Sequence, residues 1–263
     1  MNPSFIGQAF RGLAVFSAAL LGSNAAHASS FSVNPVRVTL SSKQPVAAIT
    51  VRNADSEQTV VQLEATAWTQ VDGKDVQVPS NDLLATPPIF TLQPGSSQIV
   101  RVGLRGARKL PGEVTYRLSL REVPSSQPAT TGLRVALRIS MPIFVVPATP
   151  VAPDIKWRVT REEEGKVRVT ATNTGNAHVQ LGKLDLLADG DVVGTRSIAE
   201  YVLPGNARYW TLDTHAARGG KLATGATMRI SATSDAGPLQ ADVPLEIDTA
   251  ARDSAAASTL ASR

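Results

Sequence analysis

The chain has 263 residues, no cysteine, and a formal net charge of +4 from 26 basic and 22 acidic residues. The lack of cysteine excludes a disulfide framework and thiol chemistry, and scattered charges with few aromatic residues argue against nucleic-acid binding. A chain of this length exceeds what one small sandwich needs, so two domains are expected.

Residues 1–28 are typical of a secretory signal peptide. Arg11 supplies positive charge, residues 12–22 form a short apolar run, and Ala26 and Ala28 place small side chains where a signal peptidase needs them. The run is too short to cross a bilayer. We therefore predict cleavage after Ala28, export, and no membrane insertion.

Alternating apolar and polar residues in 29–147 predict short β-strands and no helical period. The phase of the first strand breaks at Asn34-Pro35, where the chain is expected to bend or change sheets, because proline lacks an N–H donor. Strands at this spacing predict an immunoglobulin-type sandwich. The candidate strands cover residues 31–40, 47–51, 59–68, 98–104, 113–123 and 133–146.

Three prolines in the segment 147–153 mark a stiff linker, and a second set of strands follows within residues 148–248. These strands predict a second, smaller sandwich. Residues 249–263 are mostly Ala, Ser and Thr and are expected to form a disordered tail. The candidate strands cover residues 157–160, 166–173, 179–187, 191–196, 207–212, 227–233 and 239–247.

The most regular alternation lies in residues 133–141. Most strands of this kind belong to the core of their own domain, but such an apolar row can also be offered to another polypeptide; alternation alone leaves both open. The alternate positions carry Arg134, Ala136, Arg138 and Ser140. The apolar row is Leu133, Val135, Leu137, Ile139 and Met141.

Short motifs occur in a fixed order along the chain: ATPPIF at 85–90, LQPG at 92–95, QIVRV at 98–102, LSLREVP at 118–124, the strand at 133–141, NTGN at 173–176 and LPG at 203–205. Together with the export signal, they resemble the periplasmic pilus-assembly chaperones of the chaperone–usher pathway over residues 31–248. The resemblance implies an all-β chain with two immunoglobulin-like domains in a boomerang arrangement and a subunit-binding cleft between them.

The resemblance also implies a function in the periplasm. Such chaperones bind pilus subunits, aid their folding, prevent aggregation and deliver them to an outer-membrane usher. The subunits lack their last strand and expose an apolar groove with unpaired backbone groups, which favours aggregation. The row at 133–141 would fill that groove as a donor strand. Self-association of the free chaperone is left open.

In the family, a basic pair in the cleft binds the terminal carboxylate of the subunit. Arg37 matches the first member, and a guanidinium suits bidentate binding of a carboxylate. The second member is a lysine whose position is Pro142 here, a departure that suggests a divergent, archaic-type branch. Arg101 is a candidate replacement, although its motif also fits a structural salt bridge. Pro142 should end ladder pairing on one side of its strand.

Two smaller expectations concern the motifs themselves. Arg121-Glu122 is expected to form a salt bridge between the domains. The family allows a cis bond at Thr86-Pro87, and the sequence leaves cis or trans open.

Other function classes have little support. His178 and His215 are the only histidines after residue 28, and HExxH, G-x-S-x-G and P-loop motifs are absent. We therefore expect no catalytic residue, no metal site and no cofactor. The alternative function is an exported tandem β-sandwich that acts as an adhesive or structural binding module. Such a module would cluster aromatic residues at loop tips, whereas Trp68, Trp157 and Trp210 lie far apart in sequence.

Overall fold

The computed structural model describes residues 31–106, 110–124, 135–163, 165–215 and 222–247. The predicted signal peptide, the tail at 249–263 and Leu133 lie outside these residues. The described residues contain strands and no helix. The strands are β1 (Phe31–Asn34), β2 (Val38–Leu40), β3 (Val46–Asn53), β4 (Thr59–Val71), β5 (Lys74–Pro79), β6 (Leu83–Thr86), β7 (Ile89–Leu92), β8 (Ser97–Leu104), β9 (Val114–Val123), β10 (Arg138–Val145), β11 (Ile155–Glu163), β12 (Lys166–Asn173), β13 (Val179–Ala188), β14 (Asp191–Val202), β15 (Ala207–Asp213), β16 (Thr227–Ser234) and β17 (Leu239–Ile247).

Strands β1–β10 form the two sheets of the first sandwich. One sheet has the order β1-β3-β8-β6, and the other has the order β2-β10-β9-β4-β5, with β7 also paired to β4. Alternate residues of both sheets point inward, so Ile49 and Val100 of the first sheet pack with Leu118 and Ile143 of the second in one buried core. The predicted immunoglobulin-like sandwich is confirmed.

The first strand changes sheets as predicted. β1 pairs with β3 in one sheet, whereas β2 runs parallel to β10 in the other. Between them the Asn34-Pro35 peptide bond is cis, as is Thr86-Pro87. The switch places Arg37 immediately before β2, at the edge of the sheet that contains β10.

Strands β11–β17 form the second sandwich from one continuous path of order β14-β13-β16-β17-β11-β12-β15. The parallel pair β11–β17 joins its two halves. Their inward faces share a core that includes Val159, Leu181, Trp210 and Ile230. Both predicted sandwiches are therefore present, and the all-β fold class is confirmed.

The NTGN motif at residues 173–176, at the end of β12, forms a turn that contacts the linker. Asn173 is fully buried, and its side-chain Oδ1 accepts a hydrogen bond from the Asp154 N–H at 3.2 Å. A Cβ atom at Gly175 would lie 2.4 Å from the Ala152 carbonyl oxygen, so only glycine permits this close approach. The turn therefore connects the linker to the second domain through backbone contacts.

Candidate functional site

β10 has one fully paired edge and one largely open edge. Its ladder with β9 is continuous from Arg138↔Arg121 to Val145↔Val114 and passes through Pro142. On its other side, β2 pairs only with residues 143–145, and no described strand pairs with residues 138–142. Pairing on this side begins only after Pro142, as its missing N–H predicts.

The direction of the backbone groups follows from the ladder. The Glu122 N–H donates to the Leu137 carbonyl at 2.9 Å, so odd-numbered residues of β10 bond to β9. Alternation then directs the N–H and C=O groups of Arg138 and Ser140 away from β9. These groups form the open edge, where another strand can pair.

The predicted apolar row divides into two parts. Val135 is 57% exposed, and Leu137 and Ile139 are half-buried at the margin of the first core. Met141, predicted as part of the same row, is only 2% exposed and packs inside that core. The row therefore runs from the interior of its own domain to an apolar margin that contacts solvent.

The predicted strand 133–146 is shorter in the structure. β10 begins at Arg138, and residues 135–137 have no strand partner on the open side. The Leu137 N–H instead donates to Oε2 of Glu122 at 3.1 Å. The prediction that Arg121-Glu122 forms a salt bridge between the domains is wrong. Glu122 binds this backbone amide, and Arg121 Nη2 donates to Gln62 Oε1 at 2.8 Å, so both contacts lie within the first domain.

The outer face of the β10 sheet packs against the second domain through aromatic side chains. Phe144 stacks on the His178 imidazole with ring centroids 3.5 Å apart and an interplanar angle of 7°. Trp68 meets Tyr201 edge-on at 5.5 Å, and both join a buried cluster with Phe144 and Leu203. Sequence reasoning did not find this interface, because its residues lie on three strands, β4, β10 and β14, and in the segments next to β13 and β14.

Polar contacts complete the interface. The side-chain amide of Gln70 donates to the Tyr201 carbonyl at 2.8 Å and accepts from the Leu203 N–H at 3.0 Å. Nδ1 of His178 lies 2.8 Å from Oε1 of Glu113. The second domain is therefore joined to the first by directed hydrogen bonds as well as by apolar packing.

Arg37, predicted as an anchor for the subunit carboxylate, lies where the two domains meet. Its Nη1 donates to Oδ2 of Asp235 at 2.8 Å. Burial opposes the charge of Arg37, but the hydrogen bond to Asp235 and the neighbouring Tyr201 outweigh burial and raise the pKa of Arg37 above its usual value. The Arg37 side chain as a whole stays 44% exposed.

The structure does not bring Arg101 into contact with Arg37. Arg101 lies on β8 in the other sheet, between Ala48 and Thr86, with an exposed side chain. Within the described ranges, its side chain makes no hydrogen bond or ion pair with Arg37 or with any other residue. Its anchoring role has no support from position.

Among the described residues, no group of three or more His, Asp or Glu side chains is placed to hold a metal ion. That part of the chain also contains no helix of the length and apolar character that crosses a membrane.

Comparison with known proteins agrees with this geometry. Residues 30–150 match the family model described as "Pili and flagellar-assembly chaperone, PapD N-terminal domain". A comparison with curated protein sequences gives no match.

Solved structures share the fold across both domains at low sequence identity. A chain of the CsuC–CsuE chaperone–tip adhesion subunit pre-assembly complex from archaic Csu pili of Acinetobacter baumannii has 18% identity and a TM-score of 0.60, covering 84% of this chain and 100% of that one. The Salmonella enterica SafA pilin–SafB chaperone complex has 18% identity and a TM-score of 0.56, covering 83% of this chain and 99% of that one. The E. coli chaperone DraB has 19% identity and a TM-score of 0.55, covering 84% of this chain and 98% of that one. The match over residues 30–150 places the first domain in this family of pilus-assembly chaperones, and the two-domain fold is shared with the solved chaperones.

Proposed function

We propose that this chain is a periplasmic chaperone that binds pilus subunits by donor-strand complementation. It aids their folding, prevents their aggregation and delivers them to an outer-membrane usher, after export directed by residues 1–28. The observation that carries the proposal is the open edge of β10 at residues 138–142, continuous with the apolar margin formed by Val135, Leu137 and Ile139.

The open edge supplies affinity that does not depend on the sequence of the subunit. A subunit strand that pairs with Arg138 and Ser140 satisfies backbone donors and acceptors on both chains. A slip of one residue would turn arginine side chains into an apolar groove, so the alternation also specifies register.

The apolar margin supplies the hydrophobic contribution. Burying one large aliphatic side chain stabilises by about 1.5–3 kcal/mol, and less where it is already half-buried, as for Leu137 and Ile139. Val135 has the most surface to lose on binding. The side-chain freedom that is lost on binding offsets part of this gain, which suits a strand that must later be exchanged.

The solved complexes support the class of partner. The CsuC–CsuE complex holds a chaperone with a tip adhesion subunit, and the SafA–SafB complex holds a chaperone with a pilin. By analogy, we assign pilus subunits to this chain. The archaic-type branch stays a prediction, because the matched chaperones serve several pilus types at similar identity.

The test is whether the chaperone captures pilus subunits that are encoded by genes next to its own. The tagged chaperone and one subunit are co-expressed, and the complex is recovered from the periplasm. Leu137→Asp should abolish the complex, because a carboxylate cannot enter an apolar groove without a large desolvation cost. Val78→Asp, at an exposed valine of β5, is the matched control and should capture subunit normally.

Each outcome has a clear meaning. A one-to-one complex that is lost only with Leu137→Asp supports donor-strand binding. A folded Leu137→Asp chaperone that retains the normal complex contradicts it. If folded wild-type protein captures no subunit, the alternative of an adhesive or structural tandem sandwich gains support.

A further inference from the structure

β9 and β10 place two arginines directly opposite each other on the outer face of their sheet. Ile139 contacts the core, so its neighbour Arg138 points outward, and the ladder pairs Arg138 with Arg121. Both arginines are exposed. They share no backbone hydrogen bond, because that bond belongs to the next pair, where the Glu122 N–H donates to the Leu137 carbonyl. Side chains are closest in such pairs, whose Cα atoms lie about 4.5 Å apart, so two like charges here destabilise the sheet.

Neither arginine has an anionic partner among the residues that the structure describes. Arg121 Nη2 donates to Gln62 Oε1 at 2.8 Å, and Arg138 Nη2 donates to Ser119 Oγ at 3.1 Å, so both guanidinium groups bind neutral oxygens. Glu64 lies on the same face, opposite Ser119, but within the described ranges it forms no ion pair with either arginine. The first domain therefore leaves this double positive charge uncompensated.

The arginine pair adjoins the open edge of β10. The backbone N–H and C=O groups of Arg138 point away from β9, and no described strand pairs with them. An extended segment that pairs there places one residue directly opposite Arg138 on the same face, with Cβ atoms about 4.5–5.5 Å apart. Arg138 then has Arg121 on one side and that residue on the other. The charge of that residue decides whether the row of side chains is compensated or becomes more repulsive.

A groove of about 360 Å³ lies at the same place. Both arginines line it, and Val123, Pro124, Ala136 and Leu137 supply its apolar surface. Glu122 also lines the groove, but its carboxylate already accepts a hydrogen bond from the Leu137 N–H. An apolar groove with two cations in its wall fits a side chain that has a short hydrocarbon stem and an anionic end.

We propose that the Arg121–Arg138 pair selects, by charge, the segment that binds the open edge, and that the residue of this segment opposite Arg138 is an aspartate or a glutamate. This inference rests on the proposed function, because it defines the charge of the subunit strand that β10 accepts. A guanidinium can bind both oxygens of such a side chain. A lysine or arginine in the same place would add a third positive charge, so the pair also rejects unsuitable partners.

Neutralising the pair should lower subunit capture without lowering stability. A pilus subunit is diluted from denaturant into purified chaperone, and the complex is recovered. Arg121→Gln/Arg138→Gln should reduce the recovered complex about fivefold or more at about 20 mM salt, because an attractive charge contact is lost. Salt at about 0.5 M should reduce this difference, because it screens exposed charges.

Stability and a matched control separate this role from a structural one. The midpoint of thermal unfolding of Arg121→Gln/Arg138→Gln should stay the same or rise, because the repulsion between the two arginines is removed. Arg52→Gln/Arg105→Gln removes the same charge at exposed sites elsewhere in the first domain and should capture subunit normally. An equal loss of capture in both double variants would overturn the proposal, because net charge alone would then explain the loss.

Charge exchange identifies the partner residue. The aspartates and glutamates of the subunit are changed to lysine one at a time. One of these changes should abolish capture by the wild-type chaperone, and capture should return with Arg121→Glu/Arg138→Glu. If no acidic residue of the subunit behaves in this way, the proposal is wrong.

Normal capture by folded Arg121→Gln/Arg138→Gln would also overturn the proposal while leaving donor-strand binding intact. If that variant captures normally but self-associates in sedimentation, the arginines instead keep the open edges of two chaperones apart. Failure of the folded wild-type chaperone to capture any subunit would contradict the proposed function, and this inference with it.

Discussion

Glu122 and Leu137 bind each other through two hydrogen bonds at the start of β10. The Glu122 N–H donates to the Leu137 carbonyl at 2.9 Å, and the Leu137 N–H donates to the Glu122 carboxylate at 3.1 Å. The second bond replaces a ladder bond with a side-chain acceptor. It therefore orients Leu137 at the point where the proposed donor strand leaves its own sheet.

Removing the Glu122 carboxylate should weaken subunit capture. Glu122→Ala leaves the Leu137 N–H without this acceptor, so Leu137 is no longer oriented before binding. Subunit binding then costs more conformational entropy, because the apolar margin must be ordered at that step. We expect severalfold lower capture with little change in the midpoint of thermal unfolding. Glu122→Gln keeps an acceptor oxygen and should behave nearly as wild type. Equal capture by the alanine and glutamine variants would contradict this account.

Met141 and Leu137 should have separate effects although they share one face of the chain. Met141→Ala removes a buried core side chain and should cost about 2–5 kcal/mol in unfolding free energy. Leu137→Ala should cost less, since Leu137 is half-buried, but it should reduce subunit capture more. Urea unfolding and co-purification measure the two effects. If both variants lost stability and subunit capture in the same proportion, Met141 and Leu137 would not have separate roles.

Arg37→Ala should affect capture more than stability. The ion pair with Asp235 is partly exposed, and such pairs contribute about 0–1 kcal/mol. The unfolding free energy should therefore change by less than about 1 kcal/mol, whereas the carboxylate of a subunit loses a cation. The comparison is made at matched chaperone expression. Unchanged recovery of the complex would show that Arg37 does not bind the subunit carboxylate.

Gln70→Ala should loosen the contact between the domains. The substitution leaves the Leu203 N–H without its acceptor, at a cost of about 1–3 kcal/mol for a buried donor that stays unpaired. The Tyr201 carbonyl loses one of its two donors and keeps the bond from Arg208 Nε at 2.9 Å. We expect a lower thermal unfolding midpoint and faster proteolysis of the 147–154 linker. Gln240→Ala, at an exposed position, is the control. Identical cleavage of both variants would show that Gln70 does not hold the domains together.

The sandwich fold was predictable because burial imposes a period of two on most strands. β12 and β13 begin at the predicted residues, and the break at Asn34-Pro35 predicts the change of sheet. β5 was missed, because its alternation is limited to Val76 and Val78 and none of its side chains is fully buried.

The site was predictable only in part. The apolar row and Arg37 follow from local pattern and resemblance, but the burial of Met141 depends on how far the core extends along β10. Arg121 lies opposite Arg138 only after the strands pair, and the stacking of Phe144 on His178 joins residues that are distant in sequence. Such contacts arise from register, which one sequence does not display.

The most direct test of donor-strand binding is residue-resolved amide hydrogen exchange of the chaperone, free and in complex with a subunit. In the free protein, the amides of Arg138 and Ser140 face the open edge, whereas those of Ile139 and Met141 face β9. We predict that subunit binding protects Arg138 and Ser140, while Ile139 and Met141 are protected in both states. A bound complex in which Arg138 and Ser140 exchange as fast as in the free chaperone would contradict the central claim.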